Sequence, residues 1–344
     1  MKKGSLPTLS EVARKAGVGN TTVSRVINGG ERVSPETLKR VQKVIEKLGY
    51  RPNQAARVLK GHRTRTIGMI VPSLADPFFS SCAEAAQAVA RANDSLLIVT
   101  ATQNDPHNDM ENIKVLVSHR VDGLLIAPAN SKSDALRDLA ASISIPVVTI
   151  DRPILNSTIP AVLTDNFEGA RCATAHLIEH GCKRIACLTG ESTLFTIQER
   201  MRGYRAAVEE AGLACTLNTS VKDYRSAEHA IESLLAGEHR PDGLVTLKNS
   251  TTIFAFEVLQ KLNIGVPQQI ALVGFDDFEL ATTLRPSVTV IQQPVEDIGR
   301  AAAELLFEKF EDGLNISKGR AGKRPVTLEN RLVRRTSCGC LAHS

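Results

Sequence analysis

The sequence predicts an all-α head joined to an α/β core of two parallel-sheet lobes, and three observations carry that expectation. The first fifty or so residues hold three apolar-periodic segments of helical length and no strand pattern. From Thr66 onward, short β-rich runs alternate with amphipathic helical stretches, the pattern that builds parallel sheets covered on both faces. A weak internal repeat divides this core: "RTIGMIV" leads through a loop into a long helix, and "KRIACLTG" starts the same progression at Lys183.

In the head, Thr8 precedes Glu11 with capping-box spacing, and Leu9, Val12, Ala13 and Ala16 fall on one helical face. This predicts a helix from Leu9 that stops at Gly17, where Gly17-Val18-Gly19 supplies a tight turn. A second helix follows with Val23, Val26 and Ile27 inward and Asn28-Gly29-Gly30 as its end. Ser34-Pro35 is an N-cap with a first-turn proline ahead of Leu38, Val41, Val44, Ile45 and Leu48, and Gly49 is the stop.

In the core, strands are predicted at 66–71, 96–100, 123–126, 147–150, 184–188, 243–247 and 270–274. Helices are predicted between them at 77–93, 108–119, 132–142, 167–180, 199–211, 226–236 and 252–262. Two such lobes leave a crevice at the carboxyl ends of their strands, where open α/β sheets bind small ligands.

Composition narrows the function classes. A chain of 344 residues has room for two or three compact units. Its net charge of +5 hides an asymmetry: residues 1–65 carry 15 Lys and Arg against 4 Asp and Glu, whereas the rest carries 27 against 33. A compact basic end ahead of an acidic body points to a polyanion partner at that end. No run approaches the roughly eighteen apolar residues of a membrane span, and the basic N-terminus has no apolar stretch of an export signal, so a cytoplasmic protein with no membrane partner is expected. The seven cysteines lack CxxC spacing and read as reduced thiols; "CGC" at 338–340 reads as an inert terminus for want of further ligands, and neither metal nor cofactor is expected. "TGESTLF" lacks the Gly-Lys-Ser/Thr ending of a phosphate loop, and HExxH, GxSxG and a strand-borne GxGxxG are absent, so no catalytic residues are assigned and an enzyme is not expected.

Two helices joined by a tight Gly-containing turn form a helix-turn-helix, whose second helix enters the major groove of DNA. That second helix carries suitable side chains. Arg25 can donate two hydrogen bonds to guanine O6 and N7, and Asn20, Thr21, Thr22 and Asn28 are short enough to let the helix approach base edges. The stretch "YRPNQAARVLKGHRTRT" then joins head to core. Its "NQAARVLK" is about two helical turns, too short to be stable alone in water. With Arg57, Lys60 and neighbouring cations around Leu59, it reads either as a basic linker or as an element that orders in the minor groove.

The stretches "TLSEVARKAGVGNTTVSRVIN", "RVSPETLKRVQKVIEKLGYRPNQAARVLK", "TIGMIVPSLADPFFS", "RVDGLLI", "TDNFEGA", "RMRGYRAA", "IALVGFDD" and "PSVTVIQQPVEDIG" together resemble the LacI family of bacterial transcriptional regulators along essentially the whole chain. The resemblance implies a DNA-binding head at 1–52, a hinge helix and linker at 53–65, and a core at 66–344 with the two-lobed fold of type I periplasmic binding proteins. It also implies a homodimer on a pseudo-palindromic double-stranded operator, with affinity set by a small-molecule effector such as a sugar, sugar acid or sugar phosphate. Asn20, Thr21 and Arg25 match base-reading positions, Leu59 the leucine wedged into the central operator step, and Ala56 the small hinge residue beside it.

In the core, Asp76, Phe78 and Phe79 match the effector loop after the first strand, and Asp165, Thr196, Arg200 and Asp276 match further pocket positions, with Phe195 as an additional ring. The two phenylalanines have an alternative role packing the first core helix, and Asp165 and Asp276 have one capping backbone amides. One departure concerns "TLKNST", where Lys248 and Asn249 stand in place of the Asn-Asp pair common among relatives. Lys248 beside Arg200 calls for an anionic ligand unless Asp276 or Asp165 compensates it, which leaves room for a neutral sugar. The competing reading is an α/β binding protein or enzyme without a DNA role.

Overall fold

The computed structural model describes residues 7–27, 29, 32–50, 63–312 and 325–340. They fall into two units that divide between Thr64 and Arg65. Asn28 and the hinge segment with Ala56, Arg57, Leu59 and Lys60 lie outside the described residues.

Among the described residues, the head has three helices: α1 (Leu9–Ala16), α2 (Asn20–Ile27) and α3 (Pro35–Leu48). Its ends follow the predicted caps. The Glu11 N–H donates to Thr8 Oγ1 at 3.3 Å while the Thr8 N–H donates to Glu11 Oε2 at 2.9 Å, closing the capping box. Ser34 accepts from the Thr37 N–H with Pro35 in the first turn, an arrangement that satisfies otherwise unpaired donors. Val12, Ala13, Ala16, Val23, Val26, Val41 and Tyr50 are buried together as the core of this unit.

The core unit contains two six-stranded sheets. The first lobe comprises β1 (Thr66–Val71), α4 (Pro77–Ala92), β2 (Leu96–Ala101), α5 (Pro106–Ser118), β3 (Gly123–Ile126), α6 (Asp134–Ser142), β4 (Val147–Ile150) and β5 (Ala161–Thr164). The second comprises α7 (Asn166–Glu179), β6 (Ile185–Leu188), α8 (Phe195–Glu210), β7 (Thr216–Asn218), α9 (Tyr224–Ala236), β8 (Gly243–Thr246), α10 (Asn249–Lys261), β9 (Ala271–Phe275) and β10 (Thr289–Gln292).

The two lobes are not consecutive in the chain. Helix α11 (Val295–Asp312) and strand β11 (Val326–Leu328) return to the first lobe, and β12 (Arg331–Val333) goes back to the second. The sheet orders are accordingly β11-β5-β4-β3-β1-β2 and β12-β10-β9-β8-β6-β7. Ile298, Ala302, Ala303 and Leu306 of α11 are buried with Ile67, Met69, Phe79 and Leu125. Helix α11 and strands β5, β7, β10, β11 and β12 lie outside the elements that sequence periodicity predicts. The strands have only three or four residues each. Among the described residues, the chain therefore crosses between lobes three times, near 164–166, 292–295 and 328–331.

Candidate DNA-reading face and effector cleft

On α2, Val23 and Val26 are buried while Asn20, Thr21 and Arg25 are exposed and Thr22 is half-buried. One helical face is thus spent on the head's core and the other presents the residues that sequence reasoning selected. The Asn20 amide donates to Ser10 Oγ at 3.3 Å, which holds the start of α2 against α1.

In the core unit, a cavity of about 290 Å³ opens at the carboxyl ends of the strands, at the small end of ligand-site volumes. Asp76, Phe78, Phe79, Thr196, Arg200, Lys248 and Asp276, which the family resemblance points to as pocket positions, line it. Asp76 caps α4, accepting from the Phe78 N–H at 3.1 Å. Burial raises its carboxyl above the usual range; the Phe78 N–H, Lys248 and Asn249 oppose that rise and Asp276 adds to it. Phe78 and Phe79 pack into the first lobe and also border the cavity. Their rings meet edge to face at 4.9 Å and are largely buried in the first lobe, yet both reach the cavity wall.

Arg200 is buried and held by three hydrogen bonds. Its Nε donates to Asn166 Oδ1 at 2.7 Å and its Nη1 to the Leu247 carbonyl at 2.8 Å and Asp276 Oδ2 at 3.2 Å. The guanidinium lies 3.7 Å from the Phe275 ring centre. Close helix packing sets this geometry: a Cβ on Gly203 would stand 2.1 Å from the Phe167 carbonyl oxygen, so only glycine lets α8 approach α7 and bring Arg200 to Asn166. Asp276 also accepts from Gln293 Nε2 at 2.5 Å, and Gln293 Oε1 accepts from the Thr164 hydroxyl at 2.5 Å. This chain of bonds links two of the crossing segments to the cleft.

Three predicted residues stand elsewhere. Asp165 is exposed and caps α7, accepting from the Glu168 N–H at 2.9 Å, so its carboxylate does not line the cleft. Phe195 opens α8, is half-buried, and is not among the residues that line the cleft. Asn249 lines a neighbouring cavity of about 450 Å³ with Phe78 and Asp276, and bonds the Asp76 side chain.

Sequence reasoning missed Asn104, Asp151, Arg152 and Glu191, all of which line the cleft. Arg152 is buried; its Nε donates to Asp151 Oδ2 at 3.1 Å and its Nη1 to Asn104 Oδ1 at 2.7 Å. Asp151 follows β4 and Asp276 follows β9, equivalent places in the two sheets, and both adopt left-handed backbone, with φ of 62° and 68°. Such strain at non-glycine residues concentrates at functional sites. Burial pushes the Asp151 carboxyl up, Arg152 and Arg200 oppose this, and Asp276 reinforces it. Glu191 spans the lobes: its Oε2 accepts from Lys248 at 2.8 Å and its Oε1 from Asn104 at 3.4 Å. The signal that would have found these residues is position, because each lies in a loop directly after a strand's carboxyl end.

Residues 8–53 match the family model of the bacterial regulatory proteins of the lacI family, and residues 64–336 match that of the periplasmic binding proteins and the sugar-binding domain of the LacI family. The chain belongs to the LacI family. It is 31% identical over 310 residues to the ribose operon repressor of Haemophilus influenzae, covering 89% of this chain and 93% of that one. It is 32% identical, with the same coverage, to the transcriptional repressor PurR of Aliivibrio salmonicida. These relatives are transcriptional repressors, not enzymes. Among solved structures, the transcriptional regulator CelR in complex with cellobiose shares 30% identity and a TM-score of 0.70, covering 96% of this chain and 99% of that one. The lac repressor dimer bound to operator and the anti-inducer ONPF has the same fold, with a TM-score of 0.84 at 24% identity over 97% of this chain and 99% of that one. This LacI-family chain is therefore a DNA-binding regulator with an effector-binding core of the periplasmic-binding-protein type. Among the described residues, no helix is long and apolar enough to cross a membrane.

Proposed function

We propose that this regulator is a cytoplasmic repressor that binds a pseudo-palindromic operator as a homodimer, and that its effector is a neutral sugar held between the core lobes. One observation carries the choice of effector: each cation lining the cleft already has a carboxylate partner. Arg152 pairs with Asp151, Arg200 with Asp276 and Lys248 with Glu191, the last at 2.8 Å. The case for an anionic ligand requires an uncompensated Lys248. Glu191 supplies the compensation, in place of the Asp276 or Asp165 considered from sequence. With Asp76 added, four carboxylates line the cavity against three cations, so an incoming anion meets net repulsion.

A sugar suits this arrangement. Paired carboxylates and guanidiniums offer charge-assisted acceptors and donors to neighbouring hydroxyls, and Phe78 offers apolar surface to a ring face. The ribose operon repressor and the cellobiose-bound CelR among the similar proteins support a sugar class. For DNA, Asn20, Thr21, Thr22, Arg25 and Asn28 read bases, while Ala56, Arg57, Leu59 and Lys60 engage the minor groove and backbone. A ligand that alters the rotation between lobes changes the spacing of the paired hinges in a dimer, and with it operator affinity.

The test is a thermal-shift screen of neutral pentoses and hexoses alongside their acid and phosphate forms, followed by operator titration with the best ligand. A neutral sugar should raise the melting temperature and change operator affinity. Tighter binding of an anionic form than of its neutral analogue would overturn the neutral-effector reading.

A further inference from the structure

At the far end of α7 from the cleft, two histidines and two cysteines converge. His176 and His180 are spaced i, i+4, which places both rings on one side of the helix end. Their centroids lie 4.5 Å apart. Against them stands the chain's last described turn, "CGC", where Gly339 adopts φ 95°, a conformation that a side chain disfavours, and Cys338 and Cys340 both turn toward the imidazoles. His176 Nε2 is 3.2 Å from Cys338 Sγ and 3.6 Å from Cys340 Sγ, and His180 Nε2 is 3.3 Å from Cys340 Sγ. One donor atom from each of the four residues lies within 4.8 Å of all the others.

We propose that His176, His180, Cys338 and Cys340 form a tetrahedral site for a zinc-class cation that fastens the C-terminal tail to α7. The donor chemistry selects the ion: two imidazoles and two thiols form an S₂N₂ set, which favours Zn²⁺ over the oxygen-seeking Mg²⁺ and Ca²⁺. The spacing is compatible as well. Zinc bonds of about 2.3 Å to sulfur and about 2.05 Å to nitrogen give tetrahedral edges of roughly 3.3–3.8 Å, close to the three histidine–cysteine separations, and the whole set, spanning up to 4.8 Å, has to draw in slightly around an ion. Thr289 Oγ1 donates to Cys338 Sγ at 3.1 Å, the kind of hydrogen bond that supports a metal-bound thiolate. Four protein donors complete a tetrahedron without an open position, so the role is structural.

Neighbouring contacts already orient the tail for this purpose. Ser337 Oγ donates to the Leu272 carbonyl at 2.6 Å and accepts from the Thr289 N–H at 2.8 Å, and Arg335 pairs with Asp277 at 2.7 Å. The site is separate from the effector cleft. Helix α7 runs from Asn166, which holds Arg200, to Glu179, about 20 Å at 1.5 Å per residue. From sequence, "CGC" lacks partners; they are supplied by a helix more than 150 residues earlier in the chain.

The same short distances would arise from a metal-free array of thiol–imidazole hydrogen bonds, and cobalt separates the two. The full chain is stripped of metal with a chelator under reducing conditions and titrated with Co²⁺, then with Zn²⁺. One equivalent of Co²⁺ should give the intense visible bands of a tetrahedral ion together with thiolate-to-cobalt charge transfer, and Zn²⁺ should abolish both. His180 is exposed and Cys340 only half-buried, so His180→Ala and Cys340→Ser should fold. Each should lose the tetrahedral spectrum and bind Zn²⁺ at least about 100-fold more weakly, given that outer-shell partners alone contribute 10–100-fold. Cys215→Ser, at an exposed cysteine outside the cluster, should change neither. Absence of a stoichiometric tetrahedral spectrum, or one that survives both ligand substitutions, would overturn the proposal.

Discussion

The head and the effector cleft recognise their partners with surfaces built in opposite ways. In the head, nearby residues set the geometry: Thr8 and Glu11 cap α1, Gly17 ends it, and the period of Val23 and Val26 decides that Arg25 faces outward. In the cleft, no short stretch makes the site. Arg200 is held by Asn166, Leu247 and Asp276, which are 34, 47 and 76 residues away in sequence. A surface made from local periodicity should tolerate substitution on its outer face without loss of stability. One made from long-range ion pairs should couple binding to folding.

The largest expected effect tests that coupling. Arg200→Met leaves Asp276 partly buried without its cation, and breaking such a pair costs about 3–5 kcal/mol. Urea unfolding should report that loss along with loss of effector binding; a stability change below about 1 kcal/mol would show that the cleft is not built through this pair. On the head, Arg25→Ala should weaken operator binding by about 1–3 kcal/mol and relax base choice at one position per half-site. Melting temperature and effector affinity should stay unchanged. Equal losses on specific and random DNA would remove Arg25 from base reading.

Proton titration sharpens the same contrast. The folded-state pKa of Asp76 is raised, so its ionised form costs stability above that pKa and the cost disappears as pH falls through it. If the carboxylate accepts a sugar hydroxyl, effector affinity falls in that same window, by up to about 1.4 kcal/mol per pH unit. It should begin above the ordinary carboxylate range near 3.9, while stability does not fall from this group. Calorimetric titration across pH, with Asp76→Asn as the flattened control, checks the sign.

Two smaller effects complete the series. Thr8→Ala removes the α1 cap and should cost the head about 1 kcal/mol, seen as faster amide exchange in α1 with the core unit unaffected. Lys248→Met breaks a pair whose side chains are 31% and 41% exposed, and should cost less than about 1 kcal/mol of stability. Its affinity for a neutral sugar should stay within a few-fold of wild type. A large loss confined to anionic ligands would return Lys248 to the role of an unpaired cation.

What the sequence determined by itself follows from short-range rules. Caps, stops and apolar periods act over one to four residues, so the head's three helices and most βα units of the core were readable within a residue or two at many ends. The family's motifs placed seven of the cleft residues: Asp76, Phe78, Phe79, Thr196, Arg200, Lys248 and Asp276. Only the tertiary structure decided the rest. It returned α11 to the first lobe and set Glu191 on Lys248. It also brought "CGC" to His176 and His180. The physical reason is that charge compensation and ligand geometry depend on which side chains lie within a few ångströms in space. Three crossings between lobes bring together groups that one-dimensional spacing keeps far apart.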